Sequence, residues 1–134
     1  MLQGIKVKEP ALPSSESLQN VDKAKEYILD SEIIQNAWGK SYIENRANDR
    51  FRYAHDLDLL QAYLQPGSCI CEHGAAPFVL SVAIAYAGYK VIAADLDPAR
   101  FGDMSNMPFT PIRYDVEHPV GMKIDGGGGR RDYF

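Results

Sequence analysis

The chain has 134 residues, 46% of them hydrophobic and 24% charged, with a net charge of −4. That is enough chain for one α/β domain of modest size. An acidic balance argues against a nucleic-acid partner, because phosphate binding needs a surplus of Lys and Arg on one face. No apolar run is long enough to span a bilayer, and Met1 to Pro10 lacks the apolar core of a secretory signal, so a cytoplasmic location and no membrane partner are expected.

Met1 to Ser17 carries Pro10 and Pro13 and no hydrophobic period, which predicts an extended arm. Asn20 is a candidate cap for a helix whose apolar residues Val21, Ala24 and Ile28 recur at helical spacing. The helix or a kinked continuation reaches Trp38 and stops at Gly39. Asn48 or Asp49 is placed to cap a second helix, with Phe51, Ala54, Leu57, Leu60 and Leu64 on one stripe, ended by Pro66 and Gly67. Trp38 and Tyr42 are read as packing residues between helices, and Arg46, Arg50 and Arg52 as a solvated face.

The texture then changes. Ser68 to Glu72 reads as a buried strand, with Cys69 and Cys71 on one face as reduced core thiols. His73 lies near them, but two thiols and one imidazole without a fourth ligand do not make a zinc site. A loop from His73 to Phe78 leads into an apolar helix from Val79 to Ala87, closed by Gly88. Lys90 to Ala94 is a second strand. Asp97 followed by Pro98 predicts a capped short helix through Phe101. Pro111 precedes a third strand, Ile112 to Tyr114, ending at Asp115. The alternation of strand and helix predicts a parallel sheet. After Pro119 the pattern stops, and Gly126 to Gly129 followed by Arg130 and Arg131 read as a flexible tail.

The chemistry is concentrated at the predicted strand ends. Gly74 permits a tight turn and a close backbone approach to a ligand. Asp95 stands 23 positions after Glu72, a spacing at which an acid accepts hydrogen bonds from ribose hydroxyls. Asp115 ends the third strand, so three acids would line one crevice. Asp97 reads rather as a helix cap and His118 as a loop residue.

In three stretches the chain resembles the class I, Rossmann-like methyltransferases that use S-adenosyl-L-methionine. These are Ile70 to Pro77, Gly88 to Pro98 and Tyr114 to Pro119. The resemblance implies a truncated Rossmann-like, three-stranded parallel sheet with flanking helices and an N-terminal helical segment. It divides the chain into an arm (1–19), accessory helices (20–66), the cofactor-binding half of the core (67–119) and a glycine-rich tail (120–134). It implies cofactor contacts at Glu72, Gly74, Ala75, Ala76, Asp95, Leu96, Asp115 and Val116. In this reading Glu72 orients the turn or the cofactor amino group, Asp95 holds the ribose, and Asp115 sits at the adenine. The methyl acceptor and the catalytic residues are left open.

Two departures from the family pattern are visible. Ala76 and Phe78 stand where glycines are common, and Phe78 is expected to narrow the methionine pocket. Four further strands of the family core have no counterpart after Pro119. The first strand would then lie at an edge and, being apolar, is expected to pair with a second copy as a homodimer. The alternative function is a non-catalytic domain acting in binding or self-association. A nicotinamide-binding reading is disfavoured because Gly74 is followed by Ala76 and Val79 and not by further glycines.

Overall fold

The structure is a computed structural model and describes residues 11–33, 43–44, 49–115 and 117. Among them run helix α1 (Ser15–Asp30), helix α2 (Asp49–Tyr63), strand β1 (Cys69–His73), helix α3 (Val79–Tyr86), strand β2 (Lys90–Asp95), a 3-10 helix (Pro98–Phe101) and strand β3 (Thr110–Arg113). The three strands form one parallel sheet in the order β1-β2-β3. The α/β class expected from the alternation is the class observed, with the two N-terminal helices and α3 flanking the sheet. No helix among the described residues is long and apolar enough to cross a membrane.

α1 begins six residues earlier than the Asn20 cap predicts. Ser14 is the cap, and its hydroxyl accepts from the Ser17 N–H at 3.2 Å. The reason lies outside α1. The Asp58 carboxylate on α2 accepts from the Ser14 N–H at 2.8 Å, the Ser14 hydroxyl at 2.7 Å and the Ser17 hydroxyl at 2.6 Å. A three-bond anchor from another helix fixes the first turn, so Ser15 to Ser17, expected in the arm, are helical. Val21, Ala24 and Ile28 do form the buried stripe, and Ser31 closes the helix on the Ile28 carbonyl. Trp38, Gly39, Tyr42, Arg46 and Asn48 lie outside the described residues.

α2 buries Ala54 and Leu57, with Leu60 half-buried, but Phe51 and Leu64 at the ends of the expected stripe are 45% and 39% exposed. Its terminal turns overhang the core. Arg50 is not merely solvated, since its guanidinium grips Asp22 of α1 through two bonds of 2.6 and 2.9 Å.

α3 packs on β2 with α1 laid over it, and this sandwich is the core. Parallel register places Ile70 beside Val91 and Glu72 beside Ala93, so these residues share the face that looks toward α3. The opposite face carries Cys69, Cys71, His73, Ile92 and Ala94. Cys69 is exposed and Cys71 half-buried, so the expectation of two core thiols is corrected. β1 has one paired neighbour among the described residues and its second face is only partly covered. Apolar composition therefore did not translate into burial.

β3 runs from Thr110 to Arg113, with Pro111 inside the strand and Tyr114 beyond it. Proline is tolerated there because β3 has a strand neighbour on one side only among the described residues. The turn into the 3-10 helix has Asp97 at the cap position, but its side chain makes no capping hydrogen bond, contrary to the cap reading. Gly102, at φ +114°, lies where a Cβ would meet the Ile33 backbone at 3.4 Å, which lets the loop toward β3 pass close under the end of α1.

Candidate functional site

Parallel strands put their C-terminal ends on one side, and the turn after β1 is built there. Gly74 takes φ +63°, a conformation that costs an L side chain energy, and a Cβ on it would meet open space. The turn is held from beneath by β2. The Ala75 N–H donates to the Ala94 carbonyl at 3.0 Å, and the Ala76 N–H donates to Oδ2 of Asp95 at 3.3 Å. A cis bond joins Ala76 to Pro77.

Phe78 follows in the left-handed region at φ 72° and ψ 8°. Its side chain is fully buried, stacked on Phe109 with centroids 5.2 Å apart and edge-on to Phe101 at 5.5 Å. Phe78 is thus a core residue that anchors the turn. The expectation that it narrows a methionine pocket is corrected, because its ring is turned inward against two other aromatic rings. Ala75 is likewise buried, at 3% exposure, so that only its backbone lies at the turn.

Asp95 is 8% exposed at the end of β2. Its Oδ1 accepts from the Asp97 N–H at 3.4 Å, and its backbone carbonyl accepts from the Tyr114 N–H at 2.9 Å. One residue therefore ties together the turns after β1 and β2 and the end of β3. Among the described residues each carboxylate oxygen accepts one long bond, and a carboxylate offers about four acceptor positions, so it can take further donors. Leu96 beside it is 58% exposed.

Asp115 lies two residues past the end of β3 and accepts from the Glu117 N–H at 2.9 Å, which folds the chain back as an Asx turn. It is half-buried. Val116, His118 and Pro119 lie outside the described residues. The structure thus brings Gly74, Ala75, Ala76 and Asp95 into one hydrogen-bonded unit. Asp115 stands on the same side of the sheet, two residues beyond its strand.

Glu72 behaves differently from the other acids. It shares the α3-facing side of the sheet, and the Ser81 hydroxyl of α3 donates to its Oε2 at 2.5 Å. Burial pushes its carboxyl up to about 7, despite the Ser81 bond, with Asp56 of α2 adding to the rise and Arg52 opposing it. Its hydrogen bond is therefore to α3, which starts immediately after that turn.

Two features escaped the sequence reading. His73 and Tyr114 make an edge-to-face ring contact at 4.9 Å across the strand ends. Ala94, level with both His73 and Ile112, leaves room for it, and only strand register reveals that. The second is an open groove of about 670 Å³ between the 3-10 helix, the following loop and β3. Pro98, Met104, Met107 and Pro111 line it, with Asp103 and Arg113 at its polar positions. Its volume is that of small-molecule sites. No group of three or more His, Cys, Asp or Glu among the described residues is arranged to hold a metal ion.

Compared with models of protein families, with curated proteins and with solved structures, the chain has no match.

Proposed function

We propose that residues 67–119 bind S-adenosylmethionine, or its product S-adenosylhomocysteine, as the cofactor-binding half of a Rossmann-like methyltransferase core in the cytoplasm. The observation that carries the reading is the unit formed by the Gly74 turn and Asp95 at the C-terminal ends of adjacent parallel strands. An acid there that, among the described residues, has acceptor positions to spare suits a pair of ribose hydroxyls. The open space above Gly74 suits the close approach of a ligand to backbone. Exposed Leu96 offers an apolar contact beside the ribose, and Asp115 lies on the same side for the adenine. Methyl transfer from a sulfonium rests chiefly on alignment of donor and acceptor, so it needs no conspicuous catalytic group on this chain.

Isothermal titration with S-adenosylhomocysteine tests the reading. Binding is expected for the wild type, and Asp95→Asn should weaken it by roughly 10-fold or more, the worth of one charge-assisted bond. Thermal unfolding of the same variant separates a lost contact from a collapsed turn. Absence of binding at millimolar ligand would overturn the proposal.

A second reading, self-association without catalysis, is favoured by one observation. Among the described residues β1 pairs with β2 alone, and its free edge holds no proline. Two such edges pairing about a twofold axis would form one continuous sheet. Light scattering at tens of micromolar distinguishes a homodimer from the 14.9 kDa monomer.

A further inference from the structure

We propose that the groove between the 3-10 helix, the loop after it and β3 binds a short apolar peptide of two or three residues with both termini free. Its floor is apolar and belongs to the core. Pro98 is buried, Met104 and Phe109 are each 6% exposed, and Met107 and Pro111 are half-buried. Phe109 is held in place by stacking on Phe78. The rim is charged and exposed. Asp97 and Asp103 flank the 3-10 helix on one wall, and Arg113 stands on β3 at the other.

Opposite charges line one groove, yet among the described residues Arg113 makes no ion pair and no side-chain hydrogen bond. Asp97 makes no capping bond with its side chain. Asp103 is engaged by its own loop, accepting from the Ser105 N–H at 2.9 Å, which holds its carboxyl below the usual range. Both signs of charge therefore remain on offer. A simple anion would meet Arg113 but also two carboxylates, and a simple cation would leave Arg113 unmatched. A neutral apolar ligand would strip water from all three and replace none of it. A zwitterion matches both walls, with its ammonium toward Asp97 and Asp103 and its carboxylate toward the Arg113 guanidinium.

Distance and volume set the length. Asp95 is the register partner of Arg113, and Asp97 lies two residues beyond it, so the Cα atoms of Asp97 and Arg113 are at most about 12 Å apart. A tripeptide spans about 10 Å. The groove volume of about 670 Å³ takes a ligand of that size, whereas a single amino acid would leave most of it to water. Met104 and Met107 are unbranched and adaptable, so the floor accepts apolar side chains of varied shape. Neither Asp95 nor any residue of the Gly74 turn lines the groove, so it takes a peptide whether or not a cofactor binds.

The test is a titration of the full chain with trileucine, followed by amide NMR shifts. Saturable changes are expected within residues 97–113, with β1 unmoved. Removing one charge at a time separates the two walls. Arg113→Gln should weaken trileucine by roughly five- to tenfold and leave trileucine amide, which has no carboxylate, unchanged. Asp97→Asn combined with Asp103→Asn should weaken trileucine by a similar factor and leave N-acetyl-trileucine unchanged. Triglycine, which carries the charges without the apolar body, should not saturate. All three substituted positions are exposed, and the blocked peptides report whether each variant keeps its floor intact. No saturable shift at millimolar trileucine overturns the proposal. So does a ratio of trileucine to trileucine amide affinity that Arg113→Gln leaves unchanged.

Discussion

In β2 four of six residues are buried, whereas in β1 Cys69 and His73 are exposed and the three residues between them only half-buried. Both strands are short and apolar, and both are bonded in parallel. The difference comes from position. β2 is paired on both sides and roofed by α3, while β1 is paired on one side among the described residues and its Cys69–Cys71–His73 face is thinly covered. Hydrophobicity supplies the free energy for burial, but neighbours decide how much of it is realised.

Five substitutions sharpen that contrast. The largest effect is expected at the turn linking β1 to α3, where Phe78→Ala removes a fully buried ring stacked on Phe109 and edge-on to Phe101. Denaturant unfolding should show a loss of about 3–5 kcal/mol.

Matched truncations of the two strands come next. Val91→Ala in β2 should cost about 1.5–3 kcal/mol. Ile70→Ala, its register partner in β1, should cost less although it deletes more carbon. Equal or reversed losses in urea melts would break the comparison.

Asp58→Ala removes the acceptor for Ser14 and Ser17. Ser17 is fully buried, and leaving its hydroxyl unpaired should cost about 1–3 kcal/mol. Burial would raise the Asp58 carboxyl, but its bonds to Ser17 and Ser14 outweigh this and hold it below the usual range. Its contribution is therefore present above the ordinary aspartate value and is lost as pH falls through the lowered one. The acid side of a stability profile, compared between wild type and variant, checks this.

The smallest effect is at Cys69. Cys69→Ser should change stability by no more than about 0.5 kcal/mol, as at other exposed positions. Alkylation followed by mass spectrometry should modify Cys69 before Cys71, whose thiol is half-buried and raised by desolvation. Reversed labelling would mean that the open face of β1 is covered.

The candidate site was legible to the extent that backbone chemistry is local. Gly74 at a positive φ, Gly88 closing α3 and Asp95 at a strand end are all consequences of residue type at a spacing. Phe78 and Glu72 were not legible. A bulky residue in a turn reads as an obstruction unless the pocket formed by Phe101 and Phe109 is known. An acid at a strand end reads as a ligand contact unless the Ser81 hydroxyl is known to meet it. Ser14 as the cap of α1 was hidden for the same reason, since its anchor lies 44 residues away.

By itself, then, the sequence determined the alternation of strands and helices, the parallel class that follows from it, the buried stripe of α1 and the glycine-led turn. These rest on periodicity and backbone freedom, which act over a few residues. Tertiary structure alone decided that the thiols of β1 lie outside the core, that Phe78 faces inward and that Glu72 meets Ser81. Those outcomes depend on contacts between residues distant in the chain, and no local pattern of residues encodes a partner that folding has yet to bring near.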